Sequence, residues 1–120
     1  MHEPILEKAT ELGRMLGQIE EYKALQRSRS RVNEDRDAVA LINKLGELEA
    51  EVSRSLQRGE PPPEETQQAY EQAFSELQAS AVYQGLVAAQ TNFDKVLGRV
   101  NEQIGRGMDA GSQSRIILPS

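Results

Sequence analysis

The sequence predicts an all-α protein of about five helices, the two longest antiparallel in a helical hairpin or bundle that self-associates. Three observations carry this. Val82, Leu86, Ala89, Phe93, Val96 and Val100 recur at alternating steps of four and three, with Ile104 one step beyond, so one side of a helix is apolar for about six turns. Two further stretches, Ile5 to Ile19 and Ala38 to Val52, keep heptad-like spacing. Apolar residues make up only 38% of the chain, with three Tyr, two Phe and no Trp. Burial therefore rests on Leu, Ile, Val, Ala and Met, and stripes this thin commonly finish their core against another copy.

Taken in order, Pro4 suits a first helical turn, where its missing N–H costs nothing, and Ile5, Ala9, Leu12, Leu16 and Ile19 follow it. The first helix spans about residues 3–17. Gly13 and Gly17 weaken it, and a kink or short break near Gly17 places Glu20 and Glu21 in a fresh first turn, where acidic groups suit the helix dipole. Tyr22 and Leu25 continue the apolar face. Asn33 is the expected N-cap of the next helix, with Glu34, Asp35 and Asp37 crowding its first turn. Ala38, Leu41, Leu45, Leu48 and Val52 form that helix's stripe, and Ile42 and Leu56 widen it. Gly59 before Pro61, Pro62 and Pro63 ends it after about 25 residues, in a stiff loop that reverses the chain.

Pro63 then precedes a helix with Glu64 and Glu65 near its start and one short apolar patch of Tyr70, Ala73, Phe74 and Leu77. Ser80 caps the long last helix. Beyond Ile104 the pattern dissolves at Gly105, Gly107 and Gly111. This divides the chain into a single helical domain over 1–108 and a flexible tail over 109–120, whose Ile116, Ile117 and Leu118 are available to dock on the body or on a partner.

Composition excludes much chemistry. The chain has no cysteine, which removes disulfides, thiolate metal sites and cysteine nucleophiles and suits a reducing compartment. No basic-then-apolar leader opens it and no apolar run approaches the roughly 18 residues of a membrane span, so the expected location is cytoplasmic, without membrane. His2 is the only histidine, so neither a Ser-His pair nor the Glu-x-x-His pair of di-iron bundles is present. Gly105-Arg106-Gly107 lacks the third glycine of a phosphate loop and follows a helix instead of a strand. Glutamates recur at ion-pair spacings on helix surfaces. The reading is a chain with no enzyme activity, no metal and no cofactor.

A net charge of −5 disfavours nucleic acid at long range. Lys23, Arg27, Arg29 and Arg31 form the one basic cluster, open to two readings: a contact for RNA phosphates or an acidic partner, or a solvated face answering Glu20, Glu21, Glu34 and Asp35. No aromatic is interleaved to stack bases, which favours the second.

The order of these features resembles the YlbF/YmcA family of competence-control regulators. The resemblance covers residues 4–108: the run Glu20-Glu21-Tyr22-Lys23, the acidic start and helix from Asn33 to Leu56, the proline-rich turn, and the last helix, above all Ala89-Gln90-x-x-Phe93 and Val100-Asn101-x-x-Ile104. It implies a small helical protein that self-associates and serves as a regulatory adaptor. Partners of the YaaT and ribonuclease Y type, and a link to competence, sporulation, biofilm formation and RNA processing, are implied with it. Family members tied to iron–sulfur clusters use cysteines near their C-termini, which this chain lacks, and the family's Asn-Pro before the last helix is Ala79-Ser80 here. Leu86, Phe93, Val96, Leu97 and Val100 are the expected oligomer or partner interface, with intrachain core as the alternative for each, because periodicity does not say which copy supplies the facing helix.

Overall fold

A computed structural model of the chain describes the backbone of residues 1–117 and the side chains of residues 1–113. Five helices follow one another: α1 (Glu3–Leu16), α2 (Glu20–Glu34), α3 (Arg36–Gln57), α4 (Glu64–Gln78) and α5 (Ala81–Ile117). No strand occurs among the described residues.

The junctions follow from local chemistry. Gly17, Gln18 and Ile19 separate α1 from α2, and Glu20 and Glu21 occupy the new first turn, as the acidic pair predicts. The cap of α3 is Asp35 and not Asn33. Asp35 takes extended angles (φ −92°, ψ 110°) and its carboxylate accepts the Ala38 N–H at 2.9 Å, whereas Asn33 is still inside the last turn of α2. Breaking the helix at Asp35 lets Val32 and Ala38, on either side, enter one core.

Helix α3 ends on a left-handed residue, Gly59 (φ 73°). The Glu60 N–H donates to the Ser55 carbonyl and the Gly59 N–H to the Leu56 carbonyl, each at 3.0 Å, which is the paired bonding of a Schellman cap. The three prolines then carry the chain into α4. Ser80 starts α5, its hydroxyl accepting the Tyr83 N–H at 3.4 Å. The predicted end of α5 near Ile104 is overtaken: the helix runs through Gly105, Gly107 and Gly111 to Ile117. Interior glycines cost about 1 kcal/mol each but keep their N–H groups, so the hydrogen-bond ladder survives until a proline or a tertiary contact ends it. The boundary expected at residue 108 thus falls inside a helix, while residues 118–120 and the side chains of Ile116 and Ile117 lie outside the described residues.

Two antiparallel pairs make up the body. Helix α4 packs along α3, with Thr66 donating to Glu51 at 3.2 Å and the Tyr70 hydroxyl to Glu49 at 3.3 Å. Helix α2 packs along the first half of α5. The two longest helices, expected to lie against one another, each take a shorter helix as main partner instead. Short connections make sequence neighbours the nearest surfaces for α3 and α4, and the fold closes where the pairs meet. Val32, Ala38, Leu45, Ala73 and Leu77 form that junction, with Leu41, Tyr70, Val82, Tyr83 and Leu86 packed against it. Ile42 and Leu56, expected to widen the α3 stripe, face outward. Helix α1 has no buried residue.

The molecule is correspondingly drawn out. It measures 68 × 39 × 22 Å with a radius of gyration of 21.5 Å, against about 14 Å for a compact chain of this length.

Candidate protein-interaction surfaces

The stripe of α5 meets two different environments along its length. Near its start, Leu86 packs on the shared core. One turn further, Ala89 is buried, and Phe93 sets its ring against Tyr22 of α2, centroids 5.2 Å apart and planes tilted by 56°, within the distance of favourable aromatic pairs. Leu25, 1% exposed, is the most deeply buried large side chain and lies between these contacts on α2. Val96 is half-buried beside Glu21 and Arg99 at the N-terminal end of α2. Leu97 and Val100 are half-buried, and beyond them Ile104 is 47% and Met108 67% exposed.

All five residues expected at an interface are half-buried within the chain. Leu86 and Phe93 have partners within the chain, whereas Val96, Leu97 and Val100 mark the passage from covered to bare helix. The spacing alone could not reveal this, because α2 and α5 have the same helical period but different lengths.

The surface that residue patterning overlooked is α1. Ile5 (65% exposed), Leu6 and Met15 project into solvent, and only Leu12 and Leu16 are half-covered. The signal was its stripe from Ile5 to Ile19, which reads as a core helix although none of the residues of α1 is buried.

The basic cluster is divided. Lys23, Arg27 and Arg31 follow one line of α2 at steps of four. Arg27 donates to the Glu20 carboxylate at 2.6 Å, and that hydrogen bond, followed by the guanidinium charge, holds the Glu20 carboxyl below its usual range. Arg29 points the other way, over a hollow of about 270 Å³ lined by Tyr83, Leu86, Val87, Gln90 and Thr91 of α5. The four cations thus present no single anion-binding patch.

On the other pair, the Tyr70 phenol lies between the Glu49 carboxylate and the parallel ring of Phe74, 6.1 Å away. Partial burial, then the carboxylate charge, push its pKa up. Among the described residues no three His, Asp or Glu side chains gather where they could hold a metal ion, and no helix is long and apolar enough to cross a membrane.

These features define a class: small, open, all-helical proteins whose amphipathic helices are only partly covered by their own chain. The family described as control of competence regulator ComK, YlbF/YmcA, matches residues 5–109, and the chain belongs to that family. Among its relatives, a UPF0342 protein of Lactobacillus acidophilus is 31% identical over 98 residues, covering 82% of this chain and 84% of that one. A UPF0342 protein of Staphylococcus saprophyticus is 26% identical over 105 residues, covering 88% and 92%. The fold is similar to that of Bacillus subtilis RicA, seen in a crystal structure in complex with RicF. The TM-score is 0.76 at 18% identity, over 91% of this chain and 96% of that one.

Proposed function

We propose that this chain is a non-enzymatic regulatory adaptor of the cytoplasm that acts through helix-mediated contacts with other proteins, as a homodimer or higher oligomer. The observation that carries the reading is the bare apolar surface of α1 and of the end of α5, which is more than a stable monomer needs to show. Membership of a regulator family supports it, as does the occurrence of the RicA fold in a complex with RicF. By resemblance, its partners are proteins of the YaaT and ribonuclease Y type, and the process it modulates is RNA processing.

Titration of the purified chain with the YlbF-family and YaaT-type proteins of the same organism, read as solution mass by light scattering, tests this. A stoichiometric complex at micromolar concentration is the expected result, and components that stay separate would remove the adaptor reading. The second reading, direct RNA binding, draws on Lys23, Arg29 and Arg31, which form no ion pair among the described residues. It requires an affinity for labelled RNA that falls steeply with salt and is lost when Arg27, Arg29 and Arg31 become Glu. The division of that cluster across two faces of α2 favours the adaptor.

A further inference from the structure

The stripe of α5 outlasts its cover. Helix α2 accompanies it as far as Phe93 and Val96, and α1, beyond the turn at Gly17–Ile19, is not among the helices packed extensively on α5. Past that point the same face continues through Val100, which is half-buried, to Ile104 and Met108, which are exposed. Gly107 and Gly111, one turn apart on that face, have open space where a side chain would begin, so no contact within this chain accounts for their cost to the helix. A closely approaching second helix would.

Helix α1 has the matching property. Its apolar face from Ile5 to Leu16 is about 17 Å long by the standard helical rise, so it spans the roughly 12 Å from Val100 to Met108 and continues toward Gln113. Each face mixes large and small residues, which lets ridges of one enter grooves of the other.

The exposed area sets the scale. The chain shows 9516 Å² to solvent, whereas a compact monomer of this mass shows about 6,500 Å². The excess of roughly 3,000 Å² exceeds the ~800 Å² per copy of a standard stable interface several-fold. One chain carries both halves of the contact, an orphan α1 and an orphan α5 end, which is the condition for a closed two-fold dimer in which each half is used twice.

We propose that two copies of this chain exchange α1, each laying the Ile5–Leu16 face on the Val100–Met108 face of the other, with the Tyr22–Phe93 contact remaining inside each chain. The assignment rests on the reading of the chain as an assembling adaptor and names the surface by which it assembles. It places the subunit interface one helical segment beyond the stripe centre at Phe93.

The absence of cysteine makes a clean test possible. A tagged Leu12→Cys chain and an untagged Ile104→Cys chain, mixed and treated with a bismaleimide that spans about one helix–helix distance of 8–10 Å, should give a crosslinked species containing one of each. The double variant, diluted, should give little crosslinking within a single chain. Crosslinks confined to one chain would show α1 closing on its own α5, and no crosslink in either arrangement would leave α5 to a different occupant; both overturn the exchange. Light scattering provides the second readout. Ile104→Glu and, independently, Ile5→Glu alter residues exposed in the single chain, so each should stay helical by circular dichroism while the mass falls from two chains to one. A wild-type chain that is already monomeric overturns the exchange and the homo-oligomer half of the proposed function, while the adaptor half is tested separately by binding to a different protein.

Discussion

The α3–α4 hairpin and the pair of bare segments formed by α1 and the end of α5 start from the same kind of sequence and finish differently. In α3, the spacing of Ala38, Leu45 and Leu48 ends in burial; in α1, the comparable spacing of Ile5, Leu12 and Leu16 buries nothing. The turns account for the difference. Gly59 in the left-handed region and the stiff proline run return α4 onto α3, so the two stripes face one another across a short loop with little closure entropy left to lose. Gly17 stays in right-handed helical geometry, and the turn at Gly17–Ile19 redirects α1 without reversing it onto a neighbour. Amphipathicity therefore states that a face needs cover, and the turn states whether the same chain supplies it.

The comparison can be broken most forcefully in the closed half. Leu77→Ala removes a side chain that is 3% exposed at the meeting point of both helix pairs. It should cost about 3 kcal/mol, within the 2–5 kcal/mol usual for such truncations, as read from the midpoint shift in urea unfolding. A loss below 1 kcal/mol would mean that the junction is not the core described here. Next in size, Gly59→Ala should destabilise by about 1–2 kcal/mol, because alanine at a φ of 73° meets the steric penalty of left-handed backbone. Its effect should appear in stability while the helical content is unchanged. If Gly59→Ala is neutral, the loop reaches its reversal by other angles and the account of why α4 returns to α3 fails.

The smallest effect belongs to the turn between α1 and α2. Glu20 has its pKa lowered from 4.5 by the Arg27 hydrogen bond and charge. A carboxyl depressed in the folded state adds stability above its ordinary pKa and loses it as pH falls through the folded value. Wild type and Glu20→Gln should therefore differ slightly near neutral pH and converge in thermal melts below about pH 4. Both partners are exposed, so a difference that survives high salt would indicate a stronger role for this pair than the geometry allows.

Much of the helix map was legible in particular residues. Pro4, the acidic pair Glu20 and Glu21, Gly59 with its prolines, and Ser80 each mark a helix end by a local rule, and the structure places ends there. The failures were also local. Asn33 and Asp35 are both capable caps, and only the joint burial of Val32 and Ala38 selects the second. Gly105, Gly107 and Gly111 look like breakers, yet a glycine weakens a helix without removing a donor, so α5 continues. The candidate interaction surface was less legible. Leu86, Phe93, Val96, Leu97 and Val100 share one stripe in sequence, and the length of α2 cuts that stripe into a covered and an uncovered part.

By itself the sequence determined that the chain would be helical and where most of its helices begin and end. Those properties depend on spacing and on side chains acting within a few residues of one another. Tertiary structure decided the partners: α2 packs with α5 and α3 with α4, while α1 buries no residue and Ile104 and Met108 of α5 stay exposed. Pairing depends on where each turn sends the next helix and on how far the helices overlap, and both are distances between segments that no local periodicity contains.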